Sequence, residues 1–139
     1  MRILTVMKAL LTVLTFAGVS LSGVDAAADP TLSQQDRQGP VTVGVTLVHD
    51  EAGAPMRVKV VLDTHSVDLE SIELRDAVVM RLGDGREVLA NRIEEAKGDA
   101  HHRQATLIFS APAAGPVQVV VKNVGNVSER VFRWDAVGR

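Results

Sequence analysis

The side chains best suited to metal or proton chemistry in this 139-residue chain are its four histidines, His49, His65 and the adjacent pair His101 and His102. Imidazole nitrogen suits copper, zinc and nickel, and three imidazoles with one open position form a known catalytic or transport arrangement. His65 lies in Asp63-Thr64-His65-Ser66, and the pair lies in Gly98-Asp99-Ala100-His101-His102-Arg103. His65, His101 and His102 can supply three nitrogens, with Asp63 as an oxygen ligand or as the acceptor behind a ring. Asp68 and Asp99 offer further oxygens in the same two segments. The spacing matches no fixed metal motif. Adjacent strand residues point to opposite faces, so His101 and His102 can share an ion only from a loop. The plain structural alternative is that His65 hydrogen-bonds within its loop while the pair is partly exposed.

Other chemistries have less behind them. Ser66 beside His65, with Asp63 and Asp68, contains the residue types of a hydrolytic triad. Triads are defined by geometry, however, and no glycine-flanked nucleophile elbow is present. Thr64, Ser66 and Asp68 are also the side chains that bond to backbone groups in turns, while Val67 and Leu69 can anchor such a loop. Glu94 and Glu95 would form an acid/base pair only at the separations glycoside chemistry needs. As sequence neighbours they are expected to diverge into solvent. By strand parity Arg130 shares a face with Phe132 and Trp134, and Arg133 shares one with Val131. Both arginines fit an edge strand whose charge discourages aggregation. Trp134 is expected as a core plug.

Composition excludes more than it selects. With no cysteine, a disulfide framework, an iron–sulfur cluster, a thiolate zinc site, a blue-copper centre and a cysteine nucleophile are all ruled out. Fifteen Lys and Arg against 17 Asp and Glu give a net charge of -2, which is no footprint for nucleic acid or anionic lipid. Residues 1–26 read as a secretory signal: Arg2 and Lys8, an apolar run over 9–19, then small residues at Val24-Asp25-Ala26-Ala27-Ala28. Cleavage is expected after Ala26 or Ala28, into the periplasm or medium. Polar residues interrupt the run, which speaks against an uncleaved anchor, and no later segment has spanning length, so no stable membrane insertion is expected after cleavage.

The remaining chain must position the histidines. Residues 27–39 are polar and aperiodic and read as a flexible N-terminal arm. From residue 40 a period of two takes over. It marks strands over 41–48, 56–62, 77–82, 86–90, 104–110, 117–124 and 127–134. Gly83-Asp84-Gly85 and Gly125-Asn126 supply tight turns. Residues 91–103 lack a clear period, with a helical turn expected near 92–97. About seven short strands in one domain over 40–135 predict an all-β, immunoglobulin-like antiparallel sandwich. His65, His101 and His102 fall where the strand pattern breaks, in loops that a rigid sandwich can gather at one end.

Three segments carry a resemblance: Leu62-Asp63-Thr64-His65-Ser66-Val67-Asp68-Leu69, His101-His102-Arg103 ahead of a strand, and Arg130-Val131-Phe132-Arg133-Trp134. Over most of 41–134 the chain resembles a group of uncharacterised exported bacterial proteins. These have a single β-sandwich, an Asp-Thr-His-Ser loop and a Gly-His-His segment. Here Gly98 does not directly precede the histidines. The resemblance implies that the two histidine loops belong together, and it transfers no reaction. Copper-handling periplasmic sandwiches are similar in size, but their Met-rich stretches have no counterpart here. The expectation is therefore an exported, non-enzymatic binding or accessory domain for an unknown protein or small ligand. Its alternative is a copper or zinc protein using His65, His101, His102 and Asp63.

Overall fold

A computed structural model describes residues 32–48, 54–110 and 115–137. His49 and the expected signal segment lie outside them. Among the described residues nine strands form two antiparallel sheets: β1 (Ser33–Asp36), β2 (Val41–Val48), β3 (Met56–Thr64), β4 (Val78–Arg81), β5 (Glu87–Leu89), β6 (Arg92–Gly98), β7 (His102–Phe109), β8 (Gly115–Val124) and β9 (Val127–Val137). One sheet has the order β1-β2-β3-β7-β6 and the other β5-β4-β8-β9. Between β3 and β4 come a 3-10 turn, Leu69–Ser71, and the single-turn helix α1, Leu74–Ala77. No described helix is long and apolar enough to cross a membrane.

The alternation in the sequence becomes the core directly. Val41, Val43, Val45 and Leu47 of β2 and Met56, Val58, Val60 and Leu62 of β3 point inward, joined by Ala105, Leu107 and Phe109 of β7. From the other sheet Val78, Met80, Val117, Val119, Val121, Phe132 and Trp134 meet them. β-branched side chains suit this half-buried pleated surface, and each buried Val or Leu contributes roughly 1.5–3 kcal/mol. Trp134 is 5% exposed within that cluster, the core position expected of it. Gly125 and Asn126, with φ of +59° and +61°, make the two-residue turn between β8 and β9, which requires positive φ at both positions.

Two strands depart from the sequence expectation. Ser33–Asp36 is no flexible arm but edge strand β1, paired from Ser33↔Thr46 to Asp36↔Val43. Its polar residues left no apolar period to read, because backbone pairing at an edge needs none. Residues 92–98 form strand β6 rather than a helical turn. A bulge between Glu94 and Lys97, with Glu95 at φ +52°, destroys the period of two there.

Arg130 corrects a third expectation. It is 1% exposed, inside the protein rather than on a solvated edge. Its Nε donates to Asp36 Oδ1 at 3.0 Å, Nη1 to the Val124 carbonyl at 2.6 Å, and Nη2 to the carbonyls of Gln38 at 2.6 Å and Val41 at 3.2 Å. The planar guanidinium thus fastens the β1–β2 turn of one sheet to the β8–β9 hairpin of the other. Close backbone contact completes the clasp: a Cβ on Gly125 would lie 2.7 Å from Val41 Cγ2, and one on Gly39 2.9 Å from the Gly125 carbonyl. Burial pushes the Asp36 carboxyl up, but hydrogen bonds from the Gln38 backbone and side chain and from Arg130 outweigh it. The carboxyl is held below its ordinary value.

Candidate functional site

The two histidine loops meet because β3 and β7 are neighbours. Their register places Asp63 opposite His102, where β3 ends and β7 begins. His102 Nδ1 and Asp63 Oδ1 are hydrogen-bonded. This pair is about half exposed, at 52% and 51%. His102 is therefore the first residue of a strand rather than part of a loop, and His101 precedes it in the turn.

Backbone bonds lace the two loops together. Thr64 N–H donates to the His101 carbonyl at 3.0 Å and Leu69 N–H to the Ala100 carbonyl at 2.9 Å. Arg103 Nη1 donates to the carbonyls of Leu69 and Ile72, each at 2.6 Å, satisfying acceptors in and just after the 3-10 turn. The buried Leu69 side chain pins the loop to the core.

Side chains organise the turns, two in the first loop and one in the second. Thr64 Oγ1 donates to the Pro40 carbonyl at 2.8 Å and accepts from Ser66 N–H at 3.2 Å and Val67 N–H at 3.3 Å. Asp68 Oδ1 caps the 3-10 turn by accepting from Glu70 N–H at 2.9 Å. In the other loop Asp99 Oδ1 accepts from His101 N–H at 2.8 Å and His102 N–H at 2.9 Å. Those two bonds, His101 first, hold the Asp99 carboxyl below its ordinary value. Gly98, at φ +126°, is required there, because a Cβ would fall 2.0 Å from the His102 carbonyl.

The result is a cleft of about 400 Å³ lined by Pro40, Thr42, Asp63, Thr64, His65, His101 and His102. All four residues singled out as ligands, His65, His101, His102 and Asp63, border it. Pro40 and Thr42, the wall contributed by β2 and the turn before it, carry no chemical signature and were not foreseen. Among the described residues no three His, Asp or Glu side chains gather closely enough to hold a metal ion. The rings of His65 and His101 are exposed, and Asp63 already bonds His102.

The other candidates have structural work. The Ser66 backbone and Asp68 carboxylate serve the turn, with no hydrogen-bonded triad formed around them. Glu94 pairs with Arg92 at 2.8 Å and Arg57 at 3.5 Å, whereas Glu95 accepts from Thr106 Oγ1 at 3.1 Å. The two carboxylates thus take different partners, all on one face of the sheet, since Thr106 lies opposite Glu94 and Arg57 and Arg92 both lie opposite Ile108. The site as it stands presents donors and acceptors on a braced frame. No protein-family model, curated protein or solved structure matches this chain.

Proposed function

We propose that the chain is an exported, non-enzymatic binding or accessory domain of the immunoglobulin-like kind, with the Asp63/His65/His101/His102 cleft as its contact surface. One observation carries this: side chains from two segments more than thirty residues apart border one cleft on a laced pair of loops. The strand orders β2-β3-β7-β6 and β5-β4-β8-β9 support the immunoglobulin-like reading, since they follow the ABED and C′CFG orders of such sandwiches. Charged, apolar and small residues in succession over 1–28 support export. Likeness to the exported bacterial sandwich group belongs to the same proposal.

The test is site-specific photo-crosslinking in the exporting cell, with the reactive residue at His65 or His101 and a control at Lys122 on the other sheet. Discrete products from the cleft positions alone are expected. No product, or equal products from the control, would overturn the reading. Intact mass of the exported chain should show a start at Ala27 or Asp29.

Copper or zinc binding is the second reading, favoured by three imidazoles and a carboxylate around one cleft. An ion would have to draw the exposed rings inward. Calorimetric titration of a tag-free chain with Cu(II), Zn(II) and Ni(II) decides it. Micromolar binding lost in a His65→Ala, His101→Ala variant supports it, and absence of heat from the parent removes it.

A further inference from the structure

Two open sheets have four edges, and unpaired edges invite association unless they are blunted. Three of the four here are. β1 is four polar residues and β5 only three residues, and β6 is bulged and charged. β9 is different. It runs 11 residues, and although it carries Glu129, Arg133 and Asp135, it keeps one register with β8 from Val117↔Trp134 to Val124↔Val127 before a shift at Gly115↔Val137. Of the two large hydrophobics exposed among the described residues, Leu89 at 54% and Val131 at 36%, one lies at its centre.

Cross-strand register joins those two residues. Leu89 is opposite Val79, Val79 opposite Val120, and Val120 opposite Val131. An apolar row therefore crosses the outward side of the whole four-stranded sheet and ends, exposed, at the β9 edge. Beside Val131 on that side stand Glu129, which also accepts from Arg81 Nη2 at 3.0 Å within its own chain, and Arg133, two residues before and after it. The Arg133 carbonyl accepts from Gln34 Nε2 of β1 at 2.6 Å, so the Arg133 main chain faces the edge, where β1 already holds this one acceptor. By the alternation of an antiparallel strand, the main chains of Glu129 and Val131 do so too.

We infer that β9 pairs antiparallel with β9 of a second copy of this chain, about a two-fold axis at Val131. That register makes Val131 meet itself through outward N–H and C=O groups, as a hydrogen-bonded pair. It sets Glu129 opposite Arg133 of the second copy, and Arg133 opposite its Glu129. Opposite charges directly across a ladder stabilise it, and like charges oppose it. Moving the register by one residue in either strand destroys the match. The axis also joins the two apolar rows into one that spans eight strands. A self-complementary patch of this kind closes as a dimer and does not propagate.

Sedimentation equilibrium on the purified exported chain tests this with charge reversals. The parent should be dimeric. Arg133→Glu alone sets Glu against Glu, and Glu129→Arg alone sets Arg against Arg, so each should weaken association about tenfold or more. An equimolar mixture of the two variants restores both opposite-charge pairs in a heterodimer and should recover parental affinity. Val131→Arg, which places two cations at the axis, should also be monomeric with an unchanged circular dichroism spectrum. A parent that stays monomeric up to millimolar concentration would overturn the proposal. So would single variants that still dimerise, or a mixture no tighter than either variant alone.

Discussion

The Arg130 clasp and the Asp63–His102 pair each set a cation-capable side chain against a carboxylate, and they do opposite things. Arg130 is enclosed and donates to one carboxylate and three backbone carbonyls. His102 and Asp63 meet half in solvent, with water able to replace either partner. A buried ion that is fully bonded is costly to disturb, because removing one group strands the others without water. An exposed pair is nearly free to break, and therefore free to be exchanged for a ligand. The difference separates what holds this end of the sandwich from what is presented there. The two regions also share a segment. From the turn into the first residue of β2, the carbonyls of Gln38 and Val41 go to Arg130, while that of Pro40 goes to Thr64 at the cleft.

The sharpest way to break this contrast is Arg130→Ala. It leaves Asp36 and three carbonyls without their donor and should cost about 3–5 kcal/mol. At ~4–8 °C per kcal/mol, thermal denaturation should register a fall of more than about 10 °C. A fall of only a degree or two would remove the clasp from the account. Thr64→Val comes next, since its hydroxyl serves Pro40, Ser66 and Val67 together. A loss of about 1–3 kcal/mol in urea titrations is expected.

A smaller effect, readable by pH, concerns Asp36. Its carboxyl is depressed in the folded state, so the stability it contributes is complete above the ordinary aspartate value. It is lost as pH falls through the lower folded value, where the folded state must take up a proton. Asp36→Asn should lower stability near neutrality and flatten that part of the acid limb of the stability–pH curve. A parallel acid limb in the variant would assign the dependence elsewhere. Smallest of all, His102→Ala should change stability by no more than about 1 kcal/mol, while abolishing or weakening whatever the cleft binds. A large drop in melting temperature instead would make His102 structural and collapse the contrast.

Much of this was legible in the sequence, for physical reasons that differ by residue. Val41 to Leu47 and Met56 to Leu62 announce themselves because each strand has one buried and one exposed side. The two histidine segments stood out through the break in periodicity, since residues that serve turns interrupt alternation, while their meeting was implied only by the resemblance. Its closeness depended on β3 lying next to β7, which no local pattern encodes. Arg130 illustrates the limit best. Parity correctly put it on the face of Phe132 and Trp134, but an arginine on that face looked like an edge device. Its acceptors, the carbonyls of Gln38, Val41 and Val124, have no side-chain signature. β1 and β6 were hidden likewise, one because backbone pairing alone defines it, the other because a bulge shifts its phase.

The clasp has a consequence in time. Asp36 and Arg130 stand 94 positions apart, and a ribosome delivers them in that order. Early strands can pair as they emerge, yet the turn from Gln38 to Val41 has no guanidinium to bind until the last strand has been made. The first part of the sandwich to appear is thus among the last to be secured. A chain cut short anywhere before Arg130 would leave the carbonyls of Gln38 and Val41 without the donor that a finished molecule supplies.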